Sequence, residues 1–250
     1  MKFAHISDLH IDSCKQVIYG VNPCKNLEKA LTILTGFEDL DAVFLSGDIS
    51  NDGKEASYLQ ADAMLSGLSV PVYCVLGNHD NRLVVERLLE EHKLNSLRFV
   101  KDVVLAGYKI LFLNSVKEES PGENMSRGFV SREDLERIDR EASLFPGNII
   151  LVMHHPAIEV GGWMDARILM NREEFKSIVF RHPSIVAVLA GHNHCLSELT
   201  VDGCLYSIAP SVSTTFDTHG ARFQEVYRPA FDVYNVDGNS LSKHTIPIDC

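Results

Sequence analysis

No apolar run in this 250-residue chain approaches the roughly 20 residues needed to cross a bilayer, so no membrane-spanning segment is expected. The opening MKFAHISDLH has one lysine and a short apolar stretch, and reads as a buried strand rather than a signal peptide. Cations are scarce: 23 Lys and Arg stand against 34 Asp and Glu, a net charge of −11. That balance argues against stable nucleic-acid binding through a broad basic surface, because phosphate contacts come from clustered Lys and Arg. The six cysteines show no C-x-x-C spacing. Cys74 and Cys204 fall in apolar runs, where a reduced core thiol is expected, and a cytoplasmic, reducing compartment follows. Repeats, low-complexity tracts and long Pro/Gly/Ser linkers are also missing, so residues 1–250 read as one domain.

What is present is an alternation of strand-like and helical segments, the pattern of an α/β domain. Strands are expected at Lys2–Ser7, Asp41–Ser46, Val70–Leu76, Val103–Leu113, Asn148–Met153, Ile185–Ala190 and Leu205–Ile208. A final pair, Ala230–Val236 and Ser240–Ile248, reads as a C-terminal β-hairpin around Asp237-Gly238-Asn239. Asn22-Pro23 opens a first helix, Lys54–Gly67 and Asn81–His92 give two more, and Ser131 and Asn171 are expected to cap a fourth and fifth.

Five polar clusters each follow an apolar strand: Asp8-Leu9-His10, Gly47-Asp48, Gly77-Asn78-His79-Asp80, His154-His155-Pro156 and Gly191-His192-Asn193-His194. In an α/β sheet such strand ends converge in space. In an extended segment residues i and i+2 point the same way, so Asp8 and His10 can share one ion; His192 and His194 have the same spacing, but a bend would let them serve different ions. Carboxylates, an amide oxygen and imidazoles form a mixed oxygen/nitrogen donor set, suited to Mn²⁺, Fe²⁺ or Zn²⁺ rather than Ca²⁺. The glycines before Asp48, Asn78 and His192 permit a sharp turn off a strand. Two cations roughly 3.5–4 Å apart can acidify a shared hydroxide for in-line attack on phosphorus.

These five blocks, in order over residues 8 to 194, resemble the calcineurin-like metallophosphoesterase signature. The resemblance implies a two-sheet sandwich flanked by helices, with a dinuclear centre at the strand ends. It implies that Asp8, His10 and His194 hold one metal, that Asn78, His154 and His192 hold the other, and that Asp48 bridges them. His79 would face the substrate phosphate as the catalytic acid. Asp80 would orient His79 or a ligand from behind, or else cap the following helix. The chain's size, the His154-His155-Pro156 block and Ala209-Pro210-Ser211 before a hairpin are most similar to bacterial class III cyclic nucleotide phosphodiesterases. That likeness implies a small phosphodiester substrate such as a 3′,5′-cyclic nucleotide, and leaves oligomeric state open, a homodimer through the C-terminal hairpin included. The alternatives are a broad glycerophosphodiester-type phosphodiesterase or phosphatase, and an inactive metal-containing interaction scaffold; the intact ligand set and His79 speak against the scaffold.

Three loops are candidates for the substrate wall: Asn114–Gly128, Ala157–Met170 and Ser211–Arg222. Their residues Trp163, Phe216, His219 and Arg222, together with His155 beside the fourth block, are the candidate substrate contacts. No tyrosine closely follows Asp48, so the iron-tyrosinate ligand of purple acid phosphatases is missing. Nor does an arginine: where related protein phosphatases have Gly-Asp-x-x-Asp-Arg-Gly, this chain has Gly47-Asp48-Ile49-Ser50-Asn51-Asp52-Gly53. Asp52 would repel a dianion if it faced the site, and Arg82 and Arg222 are the candidate replacements.

Overall fold

The computed structural model describes residues 1–12, 17–18, 20–117, 126–217, 225–226, 228–238 and 240–248. Along the chain come β1 (Lys2–Ile6), α1 (Pro23–Leu34), β2 (Ala42–Leu45), α2 (Glu55–Leu65), β3 (Val72–Cys74), α3 (Arg82–Glu90), β4 (Leu97–Arg98), β5 (Asp102–Leu105) and β6 (Tyr108–Phe112). They are followed by α4 (Arg132–Leu144), β7 (Ile149–Val152), a 3₁₀ turn (Trp163–Arg167), α5 (Arg172–Arg181), β8 (Ile185–Ala190), β9 (Ser197–Val201) and β10 (Cys204–Ile208). Last come β11 (Thr215–Phe216), β12 (Glu225–Val226), β13 (Ala230–Asp237) and β14 (Ser240–Pro247).

Twelve of the strands form two mixed six-stranded sheets, ordered β14-β13-β1-β2-β3-β4 and β5-β6-β7-β8-β10-β9, and β11 pairs with β12 apart from them. Apolar residues sit on both faces of the central strands, because each sheet is covered on both sides. In β2, Ala42 and Phe44 face the other sheet, whereas Val43 and Leu45 face the helices. The inter-sheet layer is rich in aromatics: Phe3, Phe44, Tyr73, Phe112 and Tyr234. Outside it, α1, α2 and α3 bury Leu27, Tyr58 and Leu88 on the first sheet. On the second, α4 and α5 bury Ile138 and Phe175. The sandwich flanked by helices is thus as expected from the resemblance, and β13 and β14 form the C-terminal hairpin.

Strands β1, β2 and β3 run parallel, as do β6, β7 and β8. Their carboxyl ends lie at one edge of the sandwich, and four of the polar clusters leave from β1, β2, β7 and β8, the third from β3. His5, on the inner face of β1, is wholly buried, with Nε2 2.8 Å from Ser46 Oγ. Burial, helped by Lys243, lowers its pKa to about 3, so it is a neutral core histidine.

Local expectations fail in three places. Val103–Leu113 is a hairpin, not one strand: Ala106 and Gly107 both have positive φ (47° and 84°) and turn the chain back on itself. Asn171 precedes α5 without capping it by its side chain, because its amide bonds both the N–H and the C=O of Val130. Cys74 and Cys204 are buried free thiols as expected, but Cys24 is disulfide-bonded, with its partner outside the described residues.

Asp62 on α2 fixes the edge of the first sheet. Its carboxylate accepts the backbone N–H groups of Asn95, Ser96 and Leu97 at 2.8–3.1 Å, a docking point for β4. Asp62→Ala would leave these donors without their acceptor, and should lower stability by roughly 2–3 kcal/mol. A urea midpoint measurement checks this, and a loss below about 0.5 kcal/mol would mean that β4 docks without Asp62.

Candidate dinuclear metal centre

The strand-end clusters are held in a backbone conformation that the sequence conceals. Among the described residues, eight non-glycines have positive φ, and five of these are Asp8 (56°), His10 (46°), Asp48 (50°), His192 (70°) and His194 (50°). A left-handed residue with a Cβ costs about 1–2 kcal/mol, a strain that surrounding bonds must impose. Those bonds extend the β1/β2 ladder into the loops: Asp8 N–H donates to Gly47 O, His10 N–H to Asp48 O and Ile11 N–H to Ile49 O, at 2.9–3.1 Å. Asp8-x-His10 is therefore not extended. The two side chains converge because the chain twists through two left-handed residues, not through the period of a strand.

The neighbouring glycines act mostly by being small. Gly47 has φ +93°, but Gly77 and Gly191 have no positive φ. A Cβ on Gly77 would lie 2.2 Å from Asp48 Oδ1, and one on Gly191 1.8 Å from Ser7 Oγ. Close approach of two loops, rather than a sharp turn, requires glycine at these two positions.

The donor atoms gather in two groups around Asp48. His10 Nε2 lies 3.0 Å from His194 Nε2, and His194 Nε2 lies 3.3 Å from Asp8 Oδ1. His154 Nε2 lies 3.1 Å from Asn78 Oδ1 and 3.2 Å from His192 Nδ1. Between them, Asp48 Oδ2 is 3.5 Å from both His10 Nε2 and His154 Nε2. Asp8, His10, Asp48, His154, His192 and His194 are all buried, and Asn78 is half-buried.

The protonation pattern fits cations. The Nδ1–H of His154 donates to Ser46 O at 2.7 Å, and the Nδ1–H of His194 donates to Thr214 O at 2.8 Å. A carbonyl can only accept, so each Nε2 of the neutral ring presents a lone pair. His154 Nε2 thus faces an amide oxygen and a carboxylate oxygen, and His194 Nε2 faces a carboxylate oxygen: acceptors crowd against acceptors. Asp8 Oδ1 has no hydrogen-bond donor at all. Such contacts are repulsive unless something positive sits among them, either a second proton on a ring or a divalent cation.

The electrostatics carry the same sign. Burial would raise the Asp48 carboxyl, but the charge and hydrogen bond of His154, with His10, pull it well below the usual range. Asp8 is likewise lowered against its burial, chiefly by His194. Burial drives His10 down to about 4 and His192 down to about 3, leaving both neutral. His154 goes the other way: Asp48 outweighs burial and raises it to about 9. Without metal, a proton on His154 balances the buried carboxylates; a cation replaces it.

Asp80 neither caps α3 nor touches the His79 ring. Asn81 is the cap, accepting the Val84 N–H. Asp80 instead accepts the N–H groups of Gly77, Ile49 and Ser50 at 2.8, 3.2 and 3.0 Å, tying together the loops that carry Asp48 and Asn78. Burial and nearby Asp48 raise it to about 6 despite these donors.

A cleft of about 460 Å³ opens over the donors. His79 stands exposed on its rim, its Nδ1–H donating to Asn51 O at 3.2 Å and its ring edge-on to His10. Trp163 and Phe216 both line the cleft. Each is also anchored: Phe216 stacks on the His194 ring at 4.3 Å, and Trp163 Nε1–H donates to Asp217 O at 3.1 Å. His155 does not face the cleft. It is completely buried beside Gly128, with Nδ1 3.0 Å from Ser115 Oγ and its ring 4.5 Å from that of His192, and its ring nitrogen groups with those of His154 and His192. His219 and Arg222 lie outside the described residues.

Asp52 turns away from the cleft, bonding Ser57 Oγ at 2.7 Å and Lys54 Nζ at 2.8 Å at the start of α2. Arg82 pairs with Glu86 on exposed α3 at 2.6 Å and lines a different groove. Sequence reasoning missed Arg167, which does line the cleft; an arginine in an unpatterned loop carries no signal of its own.

Comparison with known proteins gives a consistent result. The family model described as calcineurin-like phosphoesterase matches residues 1–196. A 3′,5′-cyclic-nucleotide phosphodiesterase of Nostoc sp. is 26% identical over 230 residues, 89% of this chain and 82% of that protein. A probable glycerophosphodiester phosphodiesterase of Arcobacter nitrofigilis is 27% identical over 202 residues, 79% of this chain and 73% of its own. Among solved structures, a dimetal phosphatase from Danio rerio superposes with a TM-score of 0.68 at 17% identity, covering 99% of both chains, a likeness of fold.

The role of Asp80 is measurable. Asp80→Ala should weaken Mn²⁺ binding by about 10- to 100-fold, as loss of a group that orients metal ligands does, while far-UV circular dichroism stays unchanged. Unaltered Mn²⁺ affinity in calorimetry would show that the two loops keep their geometry without it.

Proposed function

The chain belongs to the calcineurin-like phosphoesterase family, and from that premise we propose that it hydrolyses small phosphodiesters, 3′,5′-cyclic nucleotides foremost. The observation that carries the reading is Asp48 Oδ2, equidistant at 3.5 Å from a ring nitrogen of each donor group. In this reading Asp8, His10 and His194 hold one divalent ion, Asn78, His154 and His192 the other, and Asp48 both. Mn²⁺ or Fe²⁺ suits this oxygen/nitrogen set, and Zn²⁺ is also compatible with it. The domain comprises residues 1–250. When bound, the two ions supply an acidified water and neutralise charge on the phosphate.

The chain's own residues do the rest. Hydrolysis joins a water oxygen to phosphorus as one ester P–O bond breaks, and the departing oxygen requires a proton. His79 is the group to provide it. Its Nδ1–H is fixed on Asn51 O, so Nε2 is the nitrogen left to carry and donate the transferred proton. Its backbone N–H donates to Asp48 Oδ1 at 2.9 Å, which ties the acid's position to that of the bridging carboxylate. The substrate class is supported by the activities for which the relatives from Nostoc and Arcobacter are named. A glycerophosphodiester is the second reading, favoured by the latter alone.

His79→Ala should retain both metals and lose turnover by about 10²–10⁴-fold, less for diesters with good leaving groups. Loss of metal instead of rate would place His79 among the ligands.

Diesters should be preferred over monoesters. A monoester carries nearly two negative charges, and phosphatases add an arginine fork beside the metals. Here Asp52 occupies the corresponding position and points away, and Arg82 is engaged on α3. The expected outcome is a higher kcat/KM for bis-p-nitrophenyl phosphate than for p-nitrophenyl phosphate at the same pH and Mn²⁺ concentration. A tenfold monoester preference would replace the phosphodiesterase reading with a phosphatase.

A further inference from the structure

One side of the cleft is the 3₁₀ turn Trp163–Arg167, and it is built to hold still. The Asp165 carboxylate accepts the N–H groups of Val160, Gly161 and Gly162 at 2.8, 2.9 and 3.0 Å. Met164 and Ile168 anchor the turn in the interior. From this base Arg167 places its guanidinium over the indole of Trp163, with Cζ 5.7 Å from the ring centroid. Its Nη1–H donates to Ser126 Oγ at 3.1 Å.

Two features set this arginine apart. It is the one Lys or Arg among the described residues that line the cleft. It also forms no ion pair with any described carboxylate, in a chain whose net charge is −11. An exposed arginine covering an aromatic is often only a solvated cap. Here, however, the cap borders the same cleft as His79 and Asn78, and its orientation is set in advance by the indole and Ser126.

We propose that Arg167 is a specificity residue that stacks on the planar base of a nucleotide diester while the phosphate lies over the metal donors. The inference rests on the phosphodiesterase reading above and deepens it. A guanidinium is planar, delocalised and weakly hydrated, and it stacks on aromatic faces where an ammonium does not. Nucleobases stack on arginine planes as they do on aromatic side chains. With the indole on one face and Nη1 given to Ser126, the opposite face of this exposed guanidinium is left open to a planar ligand. Trp163 then acts through Arg167 as its support.

The test compares wild type, Arg167→Ala and Arg167→Lys, loaded with Mn²⁺, on cyclic AMP and on base-free glycerophosphoethanolamine. Arg167→Ala should raise KM for cyclic AMP by about 10- to 100-fold, the usual effect of removing one stacking partner, with kcat nearly unchanged. Glycerophosphoethanolamine kinetics should not change, and lysine should not rescue cyclic AMP. Equal losses on both substrates would make Arg167 a phosphate clamp and overturn the proposal, as would no loss on either. If wild type cleaves only glycerophosphoethanolamine, the diesterase reading stands and base recognition is overturned. If it cleaves neither, the diesterase reading fails, and calorimetry with adenosine 5′-monophosphate and ribose 5-phosphate decides the role of Arg167 separately. Selective loss of the nucleotide in Arg167→Ala supports base stacking, and equal binding overturns it.

Discussion

Two carboxylates, Asp8 and Asp48, are buried at 0% and 2% exposure, and the architecture around them serves to compensate their charge. Removing a carboxylate from water costs several kcal/mol even after relaxation. Part of that is returned by backbone donors: His192 N–H to Asp8 Oδ2 at 3.1 Å, and His79 N–H to Asp48 Oδ1 at 2.9 Å. The other oxygens, Asp8 Oδ1 and Asp48 Oδ2, face the Nε2 atoms of His194 and His154, whose Nδ1–H groups are committed to backbone carbonyls on the far side, so that a proton or a cation is needed between them. Left-handed backbone at five donor residues and glycines that admit no Cβ follow from the same need, because only tightly apposed loops bring so many acceptors to one place.

The five clusters were legible in the sequence because each interrupts an apolar run with glycine, acid or imidazole, and parallel strands bring their carboxyl ends together. Boundaries of helices with a side-chain cap were legible as well, as at Asn22 and Ser131, whereas at α3 the cap is Asn81 and not the Asp80 that the sequence offered. Other features were hidden for identifiable reasons. The turn at Ala106-Gly107 lies inside a continuous apolar pattern, so periodicity merges two strands. Asn171 has the composition of a cap but is captured by Val130, a partner about forty positions away. The carbonyls of Ser46 and Thr214, which settle two histidine tautomers, belong to backbone and leave no trace in residue type. His155 looked like a cleft residue beside a ligand, yet adjacent positions diverge, and it packs behind His192.

The site divides into a base and a wall of different origin. The base comes from loops leaving parallel strands, which the two sheets hold rigidly through the aromatic layer of Phe3, Phe44, Phe112 and Tyr234. The wall comes from connections between elements: the Trp163–Arg167 turn, and Phe216 on β11. Phe216 couples the two, since its ring stacks on the donor His194. In the proposed reading chemistry is set by strand ends, while discrimination among phosphodiesters falls to connecting segments, where loops commonly carry such roles. Arg167 lies on the wall, which is why no metal-type motif revealed it.

The central claim is that Asp48 joins two cations. Anomalous diffraction at the manganese edge, from crystals grown with Mn²⁺, addresses it directly. The account predicts two peaks about 3.5–4 Å apart, with Asp48 touching both, Asp8, His10 and His194 around one, and Asn78, His154 and His192 around the other. A single peak, or two with Asp48 bound to only one, would contradict it.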